Sequence, residues 1–422
     1  MKNMTGKATA AIAAVLLAGA CAGKEPEKAP QKAFEPIILT KAEQEINAGV
    51  NRFGIEVFRQ VAADAAQAGG ARGAAQPAYR QTLVSPLSLS LALSLTAQGA
   101  SGTTADQMTA ALGFAGFTPE EVAGYYQKMT AALLEADPKT ALQIANAIWA
   151  DSDIHLKQDF VTRSERYFGS QVTSADFASP ATLKAINAWC AAHTNDKIPS
   201  ILNEMPDGMK MALLNALYFK GEWSGPFTRD GQFTFRAADG TEAKRDVMKR
   251  QDDYAYSSSK DFQCVSLPYG NGSFVMDVIL PRKGLSFTEA LAAFDADAYA
   301  QLIASGSSED VIVRMPPFKF DFETELTDLL AARMPAAFSN GADFSAMAEE
   351  SLKIGLVKQK TYIEVNEKGT EAAAVTIVGM KLTSTAVPAP RQPIEFTADR
   401  PFLFAIRERS TGALLFLGQV VS

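Results

Sequence analysis

The chain has 422 residues, 47 of them acidic and 40 basic, for a formal net charge of −7. Apolar residues make up 47% and charged residues 21%, which excludes a disordered, a collagen-like and a disulfide-stapled chain. The mild acidity argues against broad nucleic-acid binding, which needs a basic face, and the length is enough to bury a sizeable core.

Lys2 and Lys7 make a short basic start, and Ala8 to Ala20 is an apolar run too short to span a bilayer comfortably. With Ala18-Gly19-Ala20 before Cys21, residues 1–20 read as a secretory signal peptide. Plain cleavage after Ala20 would release a secreted protein. The junction also resembles a bacterial lipoprotein signal, in which the cysteine after small residues is lipidated. Leu17 stands one place early for that pattern. Residues 21–37 are rich in Pro, Lys and Glu and read as a tether behind a lipidated Cys21. The expected location is therefore extracytoplasmic, anchored at a bacterial envelope, with membrane contact only through the lipid.

Beyond the tether, Leu39–Val61 carries apolar residues at helical spacing, and 62–78 reads as an extended Ala/Gly-rich insertion. Leu83–Pro86 reads as a short strand, and Ser85-Pro86 then opens an apolar helix over Leu87–Gln98. Helices follow at Thr104–Leu112 and Pro119–Leu134, a strand at Ala141–Trp149, then helices at Lys157–Phe168 and Pro180–Thr194. Strands dominate after Met211: Ala212–Phe219, Gln232–Phe235, Tyr254–Ser257, Cys264–Tyr269, Phe274–Pro281 and Val311–Pro316. Ser286–Leu302 and Glu325–Leu330 return to helix. The end is strand: Leu352–Asn366, Val375–Val378, Ile394–Phe396, Phe402–Arg407 and Leu414–Val420. Helices mostly first and strands mostly last give an α+β class with one large mixed sheet.

Chemical constellations are missing from the sequence. The two histidines, His155 and His193, lie in no HExxH or triad context and read as surface or capping residues. No GxSxG, phosphate loop or calcium loop occurs, so no catalytic residue, metal or cofactor is expected. Cys190 and Cys264 read as buried small apolar residues. One segment is unusual. After the alternating strand Thr361–Asn366 comes Glu367-Lys368-Gly369-Thr370-Glu371-Ala372-Ala373-Ala374-Val375-Thr376. The alanine run suits either a helix-prone surface loop or a strand able to slide between two others, since small uncharged side chains leave no charge stranded in a core.

From about residue 39 to Ser422 the chain resembles the serpin family. The resemblance is carried by Ser85–Ser88 with Gly99–Thr104, by Asn215-Ala216-Leu217-Tyr218-Phe219-Lys220-Gly221-Glu222-Trp223, by Met315–Phe320, by Ala342–Ser345, by Glu364–Ala374, by Asp399-Arg400-Pro401-Phe402 and by Gly418-Gln419-Val420, in order. It implies one domain over residues 38–422 with a large mixed main sheet, smaller sheets, about eight to nine helices and an exposed reactive-centre loop over about 367–393. It also implies a non-enzymatic suicide inhibitor of serine, and also cysteine, endopeptidases, acting as a monomer. The target protease cuts the loop, is held as a covalent acyl-enzyme, and is trapped when the hinge inserts as a new strand.

Glu367, Gly369, Thr370, Glu371, Ala372, Ala373, Ala374, Val375 and Thr376 match the hinge; Val375 departs from the usual alanine but favours a strand. Ser85, Ser88 and Asn215 match the shutter beneath the sheet, with Gln359 where the family often has histidine, and Trp223 matches the top of the sheet. Family spacing puts the scissile bond at Thr383-Ser384. The return segment Thr385–Pro393 is long, so Met380, Lys381 and Leu382 stay as alternatives. A non-inhibitory binding protein is the alternative function; a charge or proline in the hinge would have favoured it.

Overall fold

The computed structural model describes residues 32–68, 79–370 and 392–422. Ala33–Ser422 forms one compact unit. In chain order its first half runs α1 Lys41–Ala68, β1 Thr82–Val84, α2 Pro86–Ala97, α3 Gly102–Ala111, α4 Pro119–Ala136, β2 Ala141–Asp151, α5 Gln158–Phe168, β3 Ser170–Ala175 and α6 Pro180–Ala192. Next come β4 Met211–Glu222, β5 Thr228–Arg236, β6 Glu242–Ser258, β7 Phe262–Pro268, β8 Phe274–Pro281, α7 Phe287–Ala293, α8 Ala296–Ala304 and β9 Ser307–Met315. The chain closes with β10 Phe318–Glu325, α9 Thr327–Arg333, α10 Pro335–Phe338, β11 Lys358–Asn366, β12 Gly369–Thr370, β13 Ile394–Thr397, β14 Phe402–Glu408 and β15 Leu414–Val420.

The class is α+β with a large mixed sheet, as the sequence implies. The main sheet has six strands in the order β10-β11-β12-β4-β2-β3, with β2 parallel to β3 and its other pairs antiparallel. The remaining strands join into one nine-stranded assembly, β1-β15-β14-β8-β7-β6-β9-β13 with β5 paired to β6. Phe318 on β10 packs against Phe402 and Phe404 on β14, with ring centroids 6.0 and 5.1 Å apart, so aromatic burial ties the two sheets together.

Helix α2 explains how the centre is held. Ser85 caps it by accepting from the Ser88 amide, Pro86 sits in its first turn, and nearly all its residues are buried beneath β4 and β15. Helix α5 buries only Phe160, Ser164 and Phe168, one face at helical spacing.

Several elements differ from the sequence reading for identifiable reasons. Helix α1 continues through Ala62 to Ala68, into the stretch read as an extended insertion, because alanine is the best helix former. The helix expected over Ser286–Leu302 is two: Phe294 ends α7, and Asp295 caps α8 through the Ala298 amide. The strand expected to start at Leu352 starts at Lys358. Strands β3 and β10 were not read from the sequence: β3 is polar, and β10 alternates with charge on its exposed face. Among the described residues no helix is long and apolar enough to cross a membrane. Cys21, the segment Val375–Val378 and the 62–78 insertion beyond Ala68 lie outside the described residues.

Candidate functional site

Strand β11 alternates strictly: Gln359, Thr361, Ile363 and Val365 are buried, and the residues between them are half-exposed. At its end the Asn366 side chain accepts from the Lys368 amide at 2.9 Å and turns the chain. Gly369 completes the reversal at φ +149°. A Cβ there would lie 2.1 Å from the Gly221 carbonyl oxygen, so no side chain fits. Thr370 then enters the main sheet, facing Val365 of β11 on one side and Gly221 of β4 on the other. It is 3% exposed, and its hydroxyl shares a 2.6 Å hydrogen bond with the phenol of Tyr269.

Trp223 organises this turn. Its amide donates to the Lys368 carbonyl at 2.8 Å and its indole Nε1 to the Asn366 carbonyl at 2.9 Å. Its ring stacks on Tyr269 with centroids 4.3 Å apart and planes 13° from parallel. The Phe227 amide donates to the Glu367 carbonyl at 2.7 Å, and Arg229 Nε meets the Glu367 carboxylate at 2.9 Å.

Below Thr370 the order of the sheet changes. Strands β4 and β11 both pair with β12 but not with each other, so beyond Thr370 their facing edges have no ladder partner among the described residues. A cavity of about 420 Å³ opens there, lined by Ser85, Ser88, Leu93, Asn215, Leu217 and Gln359 among others. This slot lies between the Met211–Leu217 part of β4 and the Lys358–Thr361 part of β11, further down the sheet than Thr370, and both polar and apolar side chains line it.

Ser85, Ser88 and Gln359 come together at the slot. Gln359 accepts from the Ser85 amide at 2.9 Å and donates to the Ser85 carbonyl at 3.1 Å. Ser85 Oγ donates to the Leu415 carbonyl at 2.7 Å and accepts from the Ser88 amide at 3.3 Å. One amide group thus both accepts and donates, and ties β11 to the start of α2. Asn215 lines the opposite wall and is not part of that cluster. Its Nδ2 donates to Asn146 Oδ1 at 2.6 Å, and Asn146 donates to the Phe168 carbonyl at 2.6 Å, tying β4 to the end of α5.

Electrostatics around the slot is quiet. Lys358 and Lys360 flank Glu323 and hold its carboxyl below the ordinary range, Lys358 first. The Tyr362 hydroxyl and Lys319 do the same for Glu364. Cys190 lines the cavity, and burial pushes its thiol up to about 11, which disfavours the thiolate at neutral pH. Cys264 is likewise buried. His155 is exposed and its Nδ1 lies 2.6 Å from Glu350; His193 caps α6 with Nδ1 2.8 Å from the Trp189 carbonyl. Among the described residues no three His, Cys, Asp or Glu side chains converge to hold a metal.

The structure therefore places Ser85, Ser88, Gln359 and Asn215 around the cavity, and Glu367, Gly369, Thr370 and Trp223 together in the turn at the top of the sheet. Glu371, Ala372, Ala373, Ala374, Val375 and Thr376 lie outside the described residues, as do Met380, Lys381, Leu382, Thr383, Ser384 and Cys21. Tyr269 and Asn146 were missed. A polar residue in the middle of the apolar run Ala141–Trp149 was the available signal for Asn146, since a buried amide needs a partner. Nothing in sequence marks Tyr269.

Between β4 and β11 the main sheet holds, among the described residues, only the two residues of β12. A family model described as serpin (serine protease inhibitor) matches residues 48–422. The wheat (Triticum aestivum) protein Serpin-Z1C is 34% identical over 368 residues, covering 82% of this chain and 90% of that protein. The pig (Sus scrofa) leukocyte elastase inhibitor is 29% identical, covering 90% of this chain and 100% of its own. The crystal structure of the thermophilic serpin Tengpin in its native state matches with a TM-score of 0.78 at 28% identity, covering 93% of this chain and 97% of that one. The chain belongs to the serpin family.

Proposed function

We propose that the protein is an irreversible suicide inhibitor of serine endopeptidases, with cysteine endopeptidases as a second target class. The observation that carries this is Thr370, paired on both sides at the top of the main sheet, with an unfilled cavity further down between β4 and β11.

The mechanism uses the target's chemistry. The protease serine attacks the carbonyl of the scissile bond, here assigned to Thr383-Ser384. The peptide bond breaks, the new amine leaves with a proton, and an ester joins the two proteins. In this mechanism the nucleophile belongs to the target. Once cut, the hinge is free to follow Thr370 downward.

The register supports that path. Continued from Thr370, it brings Ala372 between Phe219 and Ile363, Ala374 between Leu217 and Thr361, and Thr376 between Asn215 and Gln359. Phe219, Ile363, Leu217, Thr361 and Gln359 are buried and Asn215 is half-buried, so small side chains would suit those positions. Glu371 falls between Lys220 and Glu364 on the other, half-exposed face, where a charge keeps its water. Insertion would thus fill the slot and supply both strand edges with backbone partners. The ester is dragged along with the protease before water cleaves it.

The test is incubation of the purified protein with a panel of serine proteases, read on a denaturing gel. A band at the summed mass of the two proteins less the released fragment 384–422 supports the reading; cleavage of the loop with no such band by every protease contradicts it. For location we propose an anchor through a lipid on Cys21 at the envelope. Cys21→Ala is expected to move the protein from the membrane to the soluble fraction, and an unchanged distribution would contradict the anchor.

A further inference from the structure

Two Asn-Gly pairs occur in the chain, Asn271-Gly272 and Asn340-Gly341. Glycine after asparagine leaves the next main-chain nitrogen unshielded by a Cβ, so it can reach the side-chain carbonyl carbon and close a five-membered ring. Whether it does so depends on how each pair is held, and the two are held differently.

Asn271-Gly272 is locked. Asn271 Nδ2 donates to the Ala136 carbonyl at 2.9 Å, and its Oδ1 accepts from the Ser273 amide at 2.9 Å. Gly272 is buried, and its N–H donates to the Tyr269 carbonyl at 2.6 Å. Ring closure there would have to break these bonds in a half-buried turn.

Asn340-Gly341 is exposed, in a turn closed by the Ala342 amide on the Ser339 carbonyl at 3.2 Å. Lys353 Nζ donates to Asn340 Oδ1 at 2.7 Å. That oxygen is where negative charge develops when a nucleophile adds to Cγ, so the ammonium stands where an oxyanion donor would. The Gly341 N–H donates to Ser339 Oγ at 3.1 Å, and that hydroxyl donates onward to the Ala336 carbonyl at 3.1 Å. A hydroxyl in that place gives the departing proton a first step toward water.

We propose that Asn340 is a self-modification site, at which the Gly341 main-chain nitrogen attacks Asn340 Cγ with assistance from Lys353 and the amide becomes a carboxylate. The bond from Gly341 nitrogen to Cγ forms and the Cγ–Nδ2 bond breaks. Nδ2 leaves as ammonia, taking up the proton that the Gly341 nitrogen gives up. One water then opens the succinimide ring at either carbonyl, to aspartate or to isoaspartate, with no oxidant or cofactor. None of this rests on the inhibitory reading. The isoaspartate product adds a main-chain carbon to a turn fixed on both sides, by the Ile354 amide on the Ala337 carbonyl at 2.9 Å and by the Ser101 amide on the Asp343 carbonyl at 2.9 Å. Lys353 itself lines the slot, so the change is made in the wall of that cavity.

The test ages the folded protein in warm neutral buffer beside the same chain unfolded in guanidinium chloride. Peptide mass mapping reads amide-to-acid conversion at each asparagine, and labelling by an isoaspartyl methyltransferase reads isoaspartate. In the folded protein Asn340 is expected to convert while Asn271 keeps its amide; in the unfolded chain the two should convert at similar rates. Lys353→Met should slow Asn340 about 5- to 10-fold in the folded protein and leave the unfolded rate unchanged. Gly341→Ala should fold normally, because its Cβ would meet only Ser339 Oγ at 3.6 Å, and should slow conversion in both states. The aged isoaspartate form should melt below Asn340→Asp, which carries the charge without the extra carbon. An Asn340 that keeps its amide in the folded protein as long as Asn271 does would overturn the site, and an unchanged folded-state rate in Lys353→Met would overturn the assistance by Lys353.

Discussion

Replacing Thr370 with arginine separates the resting fold from the trapping step. In the intact protein Thr370 is 3% exposed, between Val365 and Gly221 and beneath Tyr269 and Trp223. A guanidinium has no carboxylate partner in that cage, and an unpaired buried charge costs ~3–5 kcal/mol. The intact chain has a way out. Extruding the two residues of β12 gives up a few hydrogen bonds, each worth ~1 kcal/mol net, and the fold survives. The cleaved chain has none, because every inserted form carries residue 370 through the cage. If that cost falls on the insertion barrier, insertion slows ~100- to ~5000-fold, while ester hydrolysis keeps its own rate. The assay follows loop cleavage and covalent complex on one gel over time. Thr370→Arg is expected to be cut at the wild-type rate or faster, with complex nearly abolished. Complex at wild-type yield would refute the reasoning. Unaltered near-ultraviolet circular dichroism shows that the variant is folded.

Two further predictions concern the slot and its surroundings. Gln359→Leu leaves the Ser85 amide and carbonyl without their side-chain partner, so unfolding free energy is expected to fall by ~2–4 kcal/mol in thermal or urea melts. Ser88→Ala should cost less, because Ser88 contributes its backbone amide to the cluster. The hydrogen bond from Glu350 raises the pKa of His155 above 6.5. That pair's contribution is fully present below pH 6.5 and is lost as pH rises through the raised value. Wild type should therefore melt above Glu350→Gln at pH 6, with the gap closing by alkaline pH; a gap independent of pH would contradict the pair's role.

How far the sequence reached is explained by where the information lies. Ser85 and Pro86 announced α2, because a cap and a first-turn proline act within one helical turn. The run from Glu367 stands out in the sequence for the same reason, being continuous. The slot does not. It depends on Trp223 reaching Asn366, 143 residues away, and on β4 and β11 failing to pair, neither of which leaves a local pattern. Asn215 was read into the shutter beside Ser85, yet it bonds Asn146 on the neighbouring strand, because its register partner on β2 is a second asparagine. The two-residue strand β12 is below the length at which alternation exists to be read, and Tyr269 acts from a sheet to which the hinge does not belong.

Cutting the loop is expected to let its hinge enter between β4 and β11. Thermal melting of the intact and loop-cleaved protein, side by side, measures this most directly. Filling a cavity of about 420 Å³ and completing two strand edges should raise the melting temperature by tens of degrees. That exceeds by far the ~4–8 °C that a ~1 kcal/mol change gives even in a small domain. A cleaved protein that melts together with the intact one would mean that the slot stays empty and that the protein does not trap proteases by strand insertion.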